Sequence, residues 1–335
     1  MGHERSINGV SARERIRGCL LGLAVGDAYG APLEFLRRRE ILDQFGPDGP
    51  AELATWGGHP GGCFTDDTQM SIATARGLLD WRKESGWAPR ATIDHAALAQ
   101  AIWQRYLEWH RSREWQGRGP GSACLQALSS GKPVANSKGC GGVMRVAPLG
   151  CAGLRDGAFE AGARAAALTH RHPTSDAASG FQALIVERLV GGDDLPEAVA
   201  AARQALAAWP GSDEALTAVN TAIALAEASI DTYDALGRIG QVGIETPDER
   251  GKGWVAEEAL GIGLLCALRF TGDFAAGLRA AALISGDSDS TASIAGAILG
   301  AVDGPEVIPT PWLDQLEGRG ELLQVADELS SVNVS

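Results

Sequence analysis

Alternating runs of β-branched residues are nearly absent from this chain, which argues against a sheet-based fold. Cysteine is sparse: six residues, at 19, 63, 124, 140, 151 and 266, with no CxxC pair and no dense spacing. That pattern excludes a disulfide scaffold and offers no thiolate/imidazole spacing for zinc. Basic residues are the minority, 29 against 42 acidic, and the net charge is −13. Direct nucleic-acid binding is therefore not expected, although a local metal or a helix N-terminus can still admit an anionic ligand. Every strongly apolar stretch is broken by Gly, Asp or Arg short of the ~20 residues that span a bilayer, so no membrane association is expected. The opening MGHERSINGVSARERIRGC has no hydrophobic signal region. Reduced thiols and no signal together predict a cytoplasmic protein. No Pro/Ser tract divides the 335 residues and no fixed-period repeat recurs, which favours one large domain over a solenoid.

What the chain has in abundance is helix signal. Ala-rich stretches recur at 93–109, 159–170, 176–190, 195–209, 212–228, 255–270 and 273–284. Ser11, Asp176, Ser212 and Asp273 stand where N-caps belong. The expected fold is all-α: a single compact domain over 14–320, with tails at 1–13 and 321–335. Long glycine-rich loops at 46–63, 115–122, 129–142 and 235–253 interrupt it, and loops of this kind are more often functional than idle.

Two acidic segments open apolar helices. FTDDTQM (64–70) has Thr65, Asp66, Asp67 and Thr68, and SGDSDST (285–291) has Asp287, Ser288, Asp289, Ser290 and Thr291. Capping explains one carboxylate per helix, because the N-terminus favours negative charge. It explains four poorly, since crowded carboxylates repel. Aspartates beside hydroxyls suit Mg²⁺ or Mn²⁺. A third stretch, GCLLGLAVGDAYGAPLEF (18–35), carries Gly18, Gly22, Gly26 and Gly30 on one helix face, ready for close helix packing. Asp27 and Glu34 are its polar exceptions. Glu34 follows Pro32 at the helix end, where it either points into a cleft or stands exposed in a loop.

These three segments, with GGVMRVAPLG (141–150), resemble in order and spacing the ADP-ribosylglycohydrolase family, over about residues 14–304. The resemblance implies a compact all-α protein with two Mg²⁺ (Mn²⁺ as the alternative) in a cleft. Thr65, Asp66 and Asp67 match the first metal-binding segment. Asp287 and Asp289 match the second, with Ser290 where many members have threonine. Glu34 matches the glutamate near the metals and the scissile sugar, so Glu34, Asp66 and Asp67 form the expected catalytic set. Asp27 matches a supporting aspartate.

GRGPGS (117–122) and NSKGCGGVMR (136–145) are glycine-dense, and such loops let backbone N–H groups approach phosphate oxygens. Mobile surface loops are the plain alternative. The resemblance makes Gly117, Gly119, Gly121, Ser137, Gly139 and Gly141 substrate-binding, together with Glu34 and His170. Cys140 departs from a common asparagine, which loosens any transfer of acceptor specificity. Arg145 is expected in an ion pair with a structural carboxylate, and His170 at the end of a helix. Tyr106, Trp109 and Trp115 are the aromatics considered for stacking on adenine, with core packing as the alternative. The implied activity is hydrolysis of the bond joining ADP-ribose to an acceptor, arginine first, by a monomer acting on an ADP-ribosylated protein. Serine-linked or O-acetyl ADP-ribose, a binuclear-metal phosphodiesterase and a non-catalytic ADP-ribose binder are the rivals.

Overall fold

The computed structural model describes residues 9–86, 92–155, 157–240 and 251–331. Regular structure there is helical: α1 (Ala12–Gly30), α2 (Arg38–Phe45), α3 (Asp66–Ser85), α4 (His95–Ser112), α5 (Ser122–Ser130), α6 (Ala147–Gly150), α7 (Ala158–Ala167), α8 (Pro173–Val190), α9 (Leu195–Ala208), α10 (Asp213–Glu227), α11 (Thr232–Leu236), α12 (Ala256–Arg269), α13 (Phe274–Ala282), α14 (Ser288–Asp303), α15 (Thr310–Gln315) and α16 (Arg319–Ser331). The fold is all-α as expected. It is interrupted by one parallel ladder, β1 (Val134–Ala135) on β2 (His170–Arg171). Strands of two residues are too short for an alternating pattern, so the sequence carried no sign of them.

Helix starts follow local chemistry. Ser11 accepts the Glu14 N–H, and the Glu14 carboxylate accepts the Ser11 N–H at 2.7 Å, a reciprocal capping box on α1. Asp273 caps α13 through the Ala276 N–H at 3.0 Å. Ser212 precedes α10 without a side-chain cap bond. Asp176 is not a cap. Pro173 has the right fixed φ for a first helical position and starts α8 earlier, with His172 Nδ1 accepting the Thr174 N–H at 3.2 Å.

The antiparallel pair α1 and α14 lies at the centre. A Cβ on Gly18, Gly22 or Gly26 would lie 2.1, 2.2 or 2.2 Å from the carbonyl oxygens of Gly300, Gly296 and Ala292. The two backbones therefore touch, and no larger residue fits between them. At the far end, a Cβ on Gly30 would lie 2.4 Å from the Asp289 Cα. This contact brings the C-terminus of α1, and Glu34 just beyond it, to the N-terminus of α14. Buried Leu20, Leu23, Met70, Phe181, Ile185, Leu264 and Ile298 fill the surrounding core.

The expected tail from 321 is instead the body of α16. Leu322, Val325, Ala326 and Leu329 have helical spacing and are buried, and α16 packs on α1. Asp327 pairs with Arg13 at 2.8 Å and Arg17 at 2.7 Å. Residues 1–8 and 332–335 of the expected tails, and 241–250 of the 235–253 loop, lie outside the described residues. All six cysteines are free. Among the described residues, no helix is long and apolar enough to cross a membrane.

Candidate metal centre

The start of α3 is capped by residues other than its two aspartates. Thr65 Oγ1 accepts the Asp67 N–H at 3.2 Å. Asp27, fully buried on α1, accepts the Thr65 N–H at 2.8 Å, the Thr68 N–H at 2.9 Å and the Thr68 hydroxyl at 2.6 Å. Asp66 and Asp67 are therefore free for another role. Asp66 Oδ2 is buried with no hydrogen-bond partner, and Asp67 Oδ2 accepts the Ser290 hydroxyl at 2.9 Å. At α14, Asp287 occupies the N-cap position yet makes no side-chain cap bond. Its Oδ2 accepts the Cys140 thiol at 2.7 Å, and Asp289 Oδ1 accepts the Ser290 N–H at 2.9 Å.

Glu34, Asp287 and Asp289 form the tightest group, with one oxygen of each within 4.8 Å of the others. Thr65, Asp66 and Asp67 stand outside that triad. They join it through the Ser290–Asp67 bond and the interaction of the Thr65 side chain with Asp289. Burial comes first in pushing these groups up, and for all but Asp289 mutual repulsion comes second. Glu34 is raised to about 11 by burial and then by Asp289, Asp287, Asp66 and Asp27. Asp66, Asp67 and Asp287 lie well above the carboxylate range by burial and then by Asp289. Asp289 is raised despite its hydrogen bonds, and Asp27 reaches about 7 by burial and the charge of Asp289. None of them is in an ion pair among the described residues.

This arrangement attracts positive charge. The donors are carboxylate and hydroxyl oxygens, one of them an orphaned buried oxygen, and they suit a hard divalent cation. Burial and then the charge of Asp287 hold the Cys140 thiol well above its ordinary pKa in the cation-free site, where it donates a hydrogen bond to Asp287.

Two glycine loops border the carboxylates. Gly117 and Gly119 have φ of 78° and 77°, a left-handed backbone that favours glycine. A Cβ on Gly119 would lie 3.8 Å from Glu34 Oε2. Gly121 caps α5 at φ −59° with open space around it. Arg118 ties this loop to α3. Its carbonyl accepts the Asp66 N–H at 3.0 Å, and its guanidinium donates to the Phe64 carbonyl at 2.7 Å and to both Glu317 oxygens. The second loop follows β1. A Cβ on Gly139 would sit 3.2 Å from His170 Nε2 and 3.9 Å from Ser137 Oγ, and one on Gly141 2.9 Å from His170 Cε1. His170 is not at a helix end: it lies beyond α7, in β2, opposite Val134.

Other expectations change. Arg145 has no ion-pair partner among the described residues; it is buried over the Tyr106 ring at 4.5 Å. Tyr106 is core, with its hydroxyl 2.6 Å from that of Thr74. Trp109 lines a cleft of about 550 Å³ together with Phe64, Gln69, Arg118, Glu317 and Glu321, and Trp115 stacks on His110 at 5.8 Å. The exposed aromatic near the centre is Phe35. It follows Glu34, has φ 66°, is 71% exposed and stacks on Trp254 at 5.2 Å. The two are far apart in sequence, and nothing local signals their contact.

The profile of the ADP-ribosylglycohydrolase family matches residues 8–334. The chain is 33% identical over 196 residues to the ADP-ribosyl-dinitrogen-reductase glycohydrolase of Rhodospirillum rubrum, covering 56% of this chain and 61% of that protein. It is 27% identical over 337 residues to the ADP-ribosylarginine hydrolase Tri1 of Pseudomonas putida strain GB-1, covering 95% of this chain and 78% of that one. With the ADP-ribosylhydrolase ARH3 of Bos taurus it shares 26% identity over 358 residues, 95% of this chain and 93% of that one. The match thus spans about three-fifths of the first of these relatives and most of the other two. A solved structure, an ADP-ribosylglycohydrolase-related protein complex, aligns with a TM-score of 0.69 at 26% identity, over 96% of this chain and 98% of that one.

Proposed function

Because the chain belongs to the ADP-ribosylglycohydrolase family, we propose that it hydrolyses the glycosidic bond between ADP-ribose and an acceptor, arginine first, and releases ADP-ribose. The observation that carries this reading is the buried carboxylate centre, whose aspartates at 66, 67 and 287 neither cap their helices nor pair with a cation. We assign it two Mg²⁺, with Mn²⁺ as the alternative, held by Thr65, Asp66, Asp67, Asp287, Asp289 and Ser290. Cations held there supply charge stabilisation and a lowered pKa for water.

The protein's own groups have separate tasks. Glu34 belongs to the triad and also faces the Gly119 loop, so it can reach a sugar held between them. Cleavage at C1″ passes through an oxocarbenium-like state; Glu34 would take a proton from the attacking water, and the acceptor would leave with the bonding pair and a proton on its guanidino nitrogen, or on its oxygen for a serine or acetyl acceptor. Gly117, Gly119 and Gly121, with Ser137, Gly139 and Gly141, are assigned to the diphosphate and distal ribose through N–H and hydroxyl donors. His170 is assigned to the same ligand. The arginine preference rests on a relative that acts on ADP-ribosylarginine. A cytoplasmic monomer acting on ADP-ribosylated protein is consistent with this assignment.

Product identity across a panel of arginine-, serine- and O-acetyl-linked ADP-ribose tests the proposal. Intact ADP-ribose supports glycohydrolysis and its acceptor names the linkage. AMP with ribose phosphate would instead support a phosphodiesterase, and ADP-ribose binding without turnover on every substrate a binding protein.

A further inference from the structure

We propose that Arg145 and Thr169 are positioning residues that hold His170 as its Nε2–H tautomer, so that the ring presents a donor to a phosphoryl oxygen of the ligand. The ligand half of this inference rests on the function proposed above. The tautomer half rests on hydrogen-bond polarity alone.

Arg145 is buried, and its Nη2 donates to Thr169 Oγ1 at 2.5 Å and to the Ala165 carbonyl at 3.3 Å. Its Nη1 contacts are two sulfurs, Met70 Sδ at 3.4 Å and Cys124 Sγ at 3.5 Å. A guanidinium stays charged and cannot accept, so Thr169 Oγ1 must be the acceptor. The hydroxyl proton is then left for a second partner. Two are in reach: His170 Nδ1 at 2.8 Å and the Ala166 carbonyl at 3.5 Å. The second is at the limit of a hydrogen bond, and that carbonyl already accepts the Thr169 N–H at 3.1 Å. The short contact takes the proton. Arg145 polarises the hydroxyl and strengthens it as a donor toward Nδ1. The opposite tautomer would point an Nδ1–H dipole at an oxygen that already faces a buried cation. Nδ1 therefore keeps its lone pair and the ring proton sits on Nε2.

Burial and then Arg145 lower the His170 pKa to about 3, so the ring remains neutral near neutral pH. Nε2 has no protein partner among the described residues, although His170 is only 2% exposed. It faces the glycine loop, where a Cβ on either Gly139 or Gly141 would come within 3.2 Å of it. The β1–β2 ladder fixes the spacing, since Thr169 O accepts the Val134 N–H at 2.9 Å and Arg171 O the Asn136 N–H at 3.0 Å. A neutral donor facing a glycine loop selects an oxygen that only accepts, such as a phosphate oxygen, and rejects a group that only donates.

The test uses full-length protein labelled with ¹⁵N-histidine. Long-range ¹H–¹⁵N spectra without ligand report the tautomer, and loss of a signal in His170→Gln assigns it. The Nε2–H form is expected in the wild type and in Thr169→Ser. Thr169→Val should shift the population toward Nδ1–H and weaken ADP-ribose binding about tenfold, the loss of one hydrogen bond to a charged oxygen. An Nδ1–H ring in the wild type, or a valine variant with unchanged tautomer and affinity, overturns the proposal. If the valine variant does not fold, Thr169→Ala removes the same hydroxyl and supplies the comparison. A wild type that binds no ADP-ribose removes the ligand assignment, and the tautomer of the variant without the Thr169 hydroxyl then decides the relay alone.

Discussion

Raising the pH should destabilise the cation-free protein, and Mg²⁺ should reverse the effect. The carboxyls of Glu34, Asp66, Asp67, Asp287 and Asp289 all titrate higher in the fold than in an unfolded chain, Glu34 at about 11. The folded state then binds more protons than the unfolded one. Stability contributed by a raised carboxyl is full below its unfolded pKa and is lost as pH rises toward its folded pKa. His170, lowered to about 3, acts in the opposite sense, but only below the ordinary histidine range. The informative window is therefore about pH 7.5 to about pH 8.5, above the ordinary histidine range, where histidine is largely neutral in both states. Each proton retained by the centre lowers stability there by about 1.4 kcal/mol per pH unit, so two retained protons remove ~3 kcal/mol across the window. That is a large share of the roughly 5–15 kcal/mol that holds a protein folded. The assay is the melting temperature across this window, in chelator and in saturating Mg²⁺. Melting should fall with pH in chelator, and the Mg²⁺ increment should grow with pH because the cation competes with those protons. A flat or rising curve in chelator, or an increment independent of pH, refutes the crowded-carboxylate reading.

Gly22→Ala places a Cβ 2.2 Å from the Gly296 carbonyl oxygen and should destabilise by about 1–3 kcal/mol in calorimetry; a wild-type melt would show that the α1–α14 contact can relax. Asp27→Asn keeps the shape but weakens three bonds at the start of α3, and should lose about 1–3 kcal/mol of stability together with Mn²⁺ affinity by titration calorimetry. Retained affinity would separate Asp27 from the centre. Glu34→Gln should lower kcat by about 10²–10⁴ without lowering the melting temperature of the cation-free protein, where that carboxyl is already protonated and an amide replaces it closely; an unchanged kcat would exclude proton transfer at that carboxyl.

What could be read from the sequence follows the range of the physics. The helices were legible because alanine content and 3.6-residue spacing act locally, and the α1 glycines because their spacing marks one face. The tail from 321 was misplaced although Leu322, Val325, Ala326 and Leu329 carried that same spacing, which shows only against the α1 surface they cover. Pro173 outweighed Asp176 because a fixed φ starts a helix more firmly than a side-chain acceptor. The two aspartate segments could be paired by composition, but their freedom from capping depends on Asp27, contributed by a different helix. His170, Arg145 and Phe35 were legible only as residue types. Their placement depends on a two-residue ladder, a threonine hydroxyl and a distant tryptophan, and none of these leaves a periodic trace.

The decisive measurement is Mg²⁺-dependent release of ADP-ribose, on whichever linkage the wild type cleaves, before and after Asp67→Ala and Asp289→Ala. Release should require the cation, stop in chelator and be abolished in both variants while circular dichroism retains the helical signal. Undiminished Mg²⁺-dependent release by both folded variants would contradict a catalytic centre built on these aspartates.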